Sequence, residues 1–527
     1  MHTKFVTYPA FLNRLARICC GLVLGVSFLA SVGIAQLSHI EAAAQLLSQG
    51  HAEEAEHEAR LAMGDPTTRP LALAMLGTIR LQQGQYKVSI QFLNQALKLN
   101  PHLPGTWTTL GDAYALQDKP DLARKSFEQA LKIDPTNNNA RYDLAKLEAS
   151  QHNYQKSLDA ARPIVAELRR SEEGLLLLAT DYGSLGEKEA LAGVIRAWQD
   201  LPIPSDESSL QFGQILVKYG MAAEAKGIFE AVESRNAGHT SVTLAGNLGK
   251  SYLQMADLDG AERNFQLALT LNPACAACDL GVAEVAEQQK DSEKALAYLL
   301  KAKQLEPENP DILFEFGKVC LERNLIDDAV SALSKAAALK PDRDSYVYVL
   351  ASAYVARDDL PKAESLLRGL LQKHPQDQVL NYAMGTVYYL QGHYTEARSS
   401  LEQSLQEEPN QVAASYYLSL TYSHLGQNDR AVALLRNLIK SHPQYAPSYV
   451  KLGTILVAEH DYAEAQEDLE RAIALDPTSA QAHYQLYLLF HLLGKSAESK
   501  QQYAEWQKLK TEHSERTHLQ LHLLPPN

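Results

Sequence analysis

Residues 104–137 read PGTWTTLGDAYALQDKPDLARKSFEQALKIDPTN, and this stretch decides the fold. Apolar or small residues fall at positions 4, 7, 8 and 11 (Trp107, Leu110, Gly111, Tyr114), the i, i+3, i+4, i+7 spacing of one helix face. A second helical stretch follows with Ala123, Phe127 and Ala130. It is closed by Pro135, which lacks an N–H and disfavours α geometry before it. The same beat runs through the chain. Proline recurs at 101 and 135, and again at 273, 307, 341, 375, 409, 443 and 477, each step being 34 residues. The gap from Pro135 to Pro273 is 138 residues, four periods plus two. Self-similarity at such a period is the signature of a stacked repeat.

Working outward, the skeleton reappears as Leu248-Gly249-x2-Tyr252 with Ala261, Phe265 and Ala268, and as Phe316-Gly317 with Ala329 and Ala336. Further copies are Met384-Gly385-x2-Tyr388 with Ala397 and Leu452-Gly453 with Ala465 and Ala472. The unit resembles the tetratricopeptide repeat (TPR), a 34-residue helix–turn–helix. Fourteen units fit, starting at 36, 70, 104, 138, 172, 206, 242, 276, 310, 344, 378, 412, 446 and 480. The units at 138, 172 and 206 are degenerate, and Leu201–Ser209 reads as a break. The organisation expected is an N-terminal array over 36–205, a degenerate unit and hinge at 206–241, a C-terminal array over 242–513 with a capping helix, and a flexible tail at 514–527. The resemblance implies an all-α fold, helix pairs stacked into a right-handed α-solenoid superhelix with the first helices lining its inner surface. A small residue at position 8 and alanine at position 20 let the two helices of a unit approach closely.

The first 35 residues read as an export leader. Lys4, Arg14 and Arg17 precede an apolar run from Ile18 to Ala35, with small residues Gly33 and Ala35 at its exit. That order marks a secretory signal, with an uncleaved inner-membrane anchor as its rival. Both readings carry the rest of the chain out of the cytoplasm, into the periplasm, the cell envelope or the medium. The net charge is −14. Removing the three leader cations from 49 leaves 46 against 63 acidic residues, a charge of −17. An acidic chain of this kind argues against nucleic acid as a partner.

No catalytic motif stands out: there is no GxxxxGK[ST], HExxH or GxSxG, and no catalytic residue, metal or cofactor is assigned. Cys275-Ala-Ala-Cys278 lacks the following His of a c-type haem and the second pair of a zinc site. It reads as a local disulfide or as two packed thiols, and Cys320 as a small core residue. The resemblance implies that positions 5, 9 and 12 line a concave groove. Position 5 of the C-terminal units reads Phe314, Tyr348, Tyr382, Tyr416, Val450 and Tyr484, and Tyr389 adds position 12. This strip either binds an extended peptide or protein partner, or only stiffens the stack. The lysines at position 9 (Lys146, Lys250, Lys318) are interleaved with acids, which argues against a clamp for a chaperone tail. The reading is a non-enzymatic interaction scaffold of the cell envelope. The rivals are a structural subunit of an envelope export or pilus-type machine and, further off, an accessory enzyme.

Overall fold

The computed structural model describes residues 33–236 and 240–513. The leader up to residue 32 and the tail from 514, both assigned above, lie outside the described residues. Among those described, the secondary structure is helical throughout. Two compact units divide the chain, residues 1–257 and 258–527. The division falls between the two helices of the unit that starts at 242, Val242–Gln254 and Leu258–Leu271.

In both units the helices pack in chain order. Within each unit, first helices fold back on the second helices that follow them, and each pair leans on its neighbours in the same unit. First helices of successive repeats also touch one another, for example Arg69–Gln82 with Pro104–Ala115 and Gln378–Leu390 with Val412–His424. Second helices are held apart by the intervening first helix. Each stack is therefore tighter on its first-helix side.

The sequence pattern explains this packing. Alanine at position 20 is fully buried at Ala123, Ala225, Ala261, Ala295, Ala329, Ala363, Ala397, Ala431 and Ala465. A Cβ added at Gly317 would lie 2.5 Å from Cγ of Leu333 on the paired helix, so glycine there sets the interhelix distance. Every second helix that precedes a repeat proline ends two residues before it, as at Leu99 before Pro101 and Leu475 before Pro477.

The turn between the helices carries a register of its own. Positive φ occurs at Gly50, Gly84, Asp118, His152, Gly186, Gly220, Ala256, Lys290, Asn324, Asp358, Gly392, Gly426, His460 and Gly494. These residues are 34 apart, save the step from 220 to 256, which is 36. The left-handed residue ends the first helix and turns the chain into the second. It marks all fourteen repeats, the degenerate ones included, and the long step matches the two-residue excess between Pro135 and Pro273.

The region expected to be irregular is helical. Pro163 splits its second helix into Tyr154–Ala161, a 3₁₀ turn at Arg162–Ile164 and Val165–Leu168. The break near 201 is shorter than expected: Ser205 caps the next helix by accepting from the Ser208 N–H at 3.2 Å, and Asp206–Lys218 follows. The segment expected as a hinge, 206–241, holds the paired helices Asp206–Lys218 and Ala222–Arg235. Phe212 and Phe229 of that pair are fully buried in one core with Trp198. Hydrophobic burial accounts for the order there: the Trp198 and Phe212 rings stack with centroids 4.1 Å apart.

Candidate functional site

Position 5 of the first helices was expected to present an aromatic strip. The structure separates its members. Tyr348 is fully buried, enclosed with Leu313, Phe316 and Leu380, and its hydroxyl has no partner. Tyr382 is also buried, against Leu401, Ala414 and Leu418. Both rings fill the space between neighbouring helices. For these two the expectation of a groove contact is corrected, because the close approach of the small-residue helices leaves them no exposed face. Phe314, Tyr389, Tyr416 and Tyr484 remain half-buried, with one side open to solvent. Phe314 stacks on Tyr346 at 4.2 Å, and Tyr484 lies 4.9 Å from Trp506 of the last helix, Ser496–His513.

The open aromatics gather most densely where the repeats at 378, 412 and 446 meet. Tyr389 stands edge-on to Tyr417 at 5.6 Å, and Tyr417 lies 6.1 Å from both Tyr382 and Tyr416. Tyr416 in turn meets Tyr445 at 5.6 Å. Tyr394 and His424 stack face to face at 4.4 Å, and the Tyr389 hydroxyl lies 3.3 Å from His424 Nε2. Burial pushes the phenols of Tyr416 and Tyr417 well above their ordinary range and that of Tyr445 up to about 12. All three are therefore neutral O–H groups at physiological pH. Partial burial, and then the charge of Lys451, hold the His424 imidazolium below its usual range.

Sequence reasoning placed Tyr382, Tyr389 and Tyr416 here but missed Tyr417, Tyr394, His424, Tyr445 and Lys451. Those residues occupy position 6, the inter-helix turns and the helix ends, which a reading confined to positions 5, 9 and 12 passes over. The signal that would have found them is the local density of tyrosine between 382 and 445.

A second group of charged residues lies on the first helices nearer the start of the same unit. Lys318 pairs with Glu315 at 2.6 Å and Glu287 at 3.5 Å. Burial raises the Glu287 carboxyl to about 7, against the pull of Lys318 and with help from Glu315 and Glu322. Cys275 and Cys278 are joined by a disulfide across the first turn of Ala276–Gln288, and Cys275 Sγ accepts from the Cys278 N–H at 3.2 Å. Cys320 is a buried free thiol, pushed up to about 11 chiefly by burial. Among the described residues no cluster has the make-up of a metal site, and no helix is long and apolar enough to cross a membrane.

Profiles described as tetratricopeptide repeat match residues 71–103, 104–137, 247–310, 286–353, 321–386, 388–453 and 450–512, together more than half of the chain. The chain belongs to the tetratricopeptide repeat family. It is thus a repeat scaffold of the kind that binds protein partners, and none of the matching profiles describes a catalytic domain.

Among curated relatives, a CTR9 homolog of Arabidopsis thaliana is 21% identical over 289 residues, covering 52% of this chain and 26% of that protein. Tetratricopeptide repeat protein 8 of Caenorhabditis elegans is 22% identical over 193 residues, covering 36% of this chain and 38% of that protein. The chain thus spans well under half of either relative. Among solved structures, the Cut9–Hcn1 assembly of the APC/C aligns over 90% of this chain and 98% of that chain at 15% identity, with a TM-score of 0.44. Yeast Tom70 aligns over 92% and 98% at 16% identity, with a TM-score of 0.33. The pilF protein of Pseudomonas aeruginosa aligns over 39% and 94% at 18% identity, with a TM-score of 0.35.

Proposed function

We propose that this TPR protein is a non-enzymatic scaffold of the cell envelope that holds an extended segment of a partner protein against the first helices of its second compact unit. The observation that carries the reading is the row of half-exposed rings on those helices, Phe314, Tyr389, Tyr416 and Tyr484, thickened by Tyr417 and Tyr445. Tyrosine offers apolar area and a hydroxyl on a side chain with little rotamer freedom to lose, which suits it to recognition surfaces. The envelope location rests on the basic start and apolar run of the first 35 residues. The export reading also suits the Cys275–Cys278 disulfide, since such bonds persist outside the reducing cytoplasm.

The test compares partner capture by the exported chain with that by a Phe314→Ala, Tyr389→Ala, Tyr416→Ala triple variant. Capture from envelope extract should fall at least tenfold while the helical circular dichroism is retained, and equal capture by both proteins would remove the groove. N-terminal sequencing of the exported form tests the leader.

A further inference from the structure

Outside the aromatic row, within the first compact unit, a cavity of about 650 Å3 opens between the second helices of the repeats at 138 and 172. It lies where the repeat pattern breaks its own rule. At position 32, where regular repeats have proline, the repeat at 138 has Arg169. The second helix of that repeat stops at Leu168, and Arg169 and Arg170 follow it. The facing helix, Lys188–Gln199, brings Gly193 to the cavity. Glycine inside a helix is unfavourable relative to alanine. No crowding requires it here, since beyond its own helix a Cβ at Gly193 would meet only Arg169 Nη2, at 3.8 Å. The glycine keeps the cavity floor open beneath the Arg169 guanidinium.

The charges around this space are unmet. Arg169, Arg170 and Arg196 line it, and none of their side chains makes an ion pair or a hydrogen bond among the described residues. Glu189 and Asp200 line the same cavity and are equally unpaired. Five charged groups of opposite sign thus face one space without closing on one another. Other arginines of the unit do close on acids, as Arg80 does on Glu56 at 2.6 Å and Arg235 on Asp206 at 2.8 Å. In a chain with 63 acidic against 49 basic residues, three free guanidiniums around one cavity run against the average charge.

We propose that this cavity binds a small phosphorylated polyol of the sugar phosphate class. The guanidiniums of Arg169, Arg170 and Arg196 hold the phosphate, and the carboxylates of Glu189 and Asp200 accept hydrogen bonds from the hydroxyls. Guanidinium presents its N–H groups as a planar fork that matches phosphate oxygens. A phosphate monoester offers three free oxygens to three forks, where a carboxylate offers two. An ionised carboxylate only accepts, so the ligand must bring donors beside its anion, and sugar hydroxyls do so. The volume suits such a molecule, since small-molecule sites span roughly 300–1,000 Å3. The site is independent of the groove reading above.

The experiment titrates the full chain calorimetrically with four probes, glucose 6-phosphate, glucose, glucuronate and inorganic phosphate. Glucose 6-phosphate should bind saturably and glucose should not bind. Glucuronate and phosphate should each bind about tenfold more weakly or less. Two variants place the binding. Gly193→Leu fills the floor of the cavity while raising helix propensity. Arg196→Gln removes one fork from an exposed position, where packing is not disturbed. Each should weaken glucose 6-phosphate by about tenfold or more, and Arg196→Lys, which keeps the charge without the fork, should not restore it fully. Thermal melts of the variants separate loss of the site from loss of the fold. Absence of saturation, binding of glucose, glucuronate or phosphate as tight as that of glucose 6-phosphate, or an affinity unchanged in folded Arg196→Gln would each overturn the proposal.

Discussion

The repeats at 310–475 and those at 138–235 reach the same helical pairing by different distributions of bulk. In the regular repeats the small residues sit at positions 8 and 20, and the large one is at position 24, as in Gly317, Ala329 and Leu333. In the repeat at 172, positions 20 and 27 hold Leu191 and Trp198, both buried. Smallness has moved to Gly174 and Gly183, where an added Cβ would lie 2.3 Å from the Leu168 carbonyl oxygen and 2.1 Å from the Tyr219 ring. Close packing requires complementary volumes, and it does not fix which member of a pair is the small one. A repeat can therefore lose its recognisable pattern and keep its geometry.

This comparison can be broken most forcefully at Trp198. Trp198→Ala removes a buried ring stacked on Phe212 and should cost about 3–5 kcal/mol, whereas Leu333→Ala in a regular repeat should cost about 2–4 kcal/mol. Denaturant unfolding of the two variants checks the order. A smaller effect at Trp198 would mean that the degenerate repeats are loosely packed.

Asp181 gives the next largest effect. It is fully buried, accepts from the Ser157 hydroxyl at 2.6 Å and has its other oxygen unpartnered. Burial raises its carboxyl to about 7. The folded state therefore holds this proton more tightly than the unfolded chain. Stability from this group is fully present below pH 4 and is lost as pH rises through about 7. Asp181→Asn should thus stabilise the protein at pH 8 by an amount on the order of a few kcal/mol, with the gain shrinking toward pH 4. Thermal midpoints across that range provide the check, and a gain independent of pH would contradict the assignment.

Gly317→Ala sharpens the regular side, since the new Cβ must displace Leu333; a loss of about 1–3 kcal/mol is expected in chemical unfolding. Least in size is Ala256→Gly. Ala256 has φ of 58°, a backbone state that costs an L-residue roughly 1 kcal/mol, so glycine should add about that much stability.

Much of this architecture is visible in the one-dimensional pattern. The prolines fix where second helices end, and the alanines at position 20 fix the close approaches. Other features are hidden for physical reasons. Half of the left-handed turn residues are not glycine (Asp118, His152, Ala256, Lys290, Asn324, Asp358 and His460), so turn chemistry alone does not reveal the fourteenfold register. Gly213, at position 8 of a unit read as degenerate, faces Phe229 in the ordinary way. Its neighbours in sequence simply lack the usual partners. The aromatic strip was legible as a row of letters, but burial depends on how far each helix lies from the next. That distance separates Tyr348, with no exposed surface, from Tyr416, which keeps an open edge.

The left-handed residue at every turn has a mechanical corollary. Because each helix pair grips only its immediate neighbours, tension along the backbone would not rupture a whole unit at once. It would peel pairs from an end, and each 34-residue quantum, drawn taut, would lengthen the chain by roughly 110 Å.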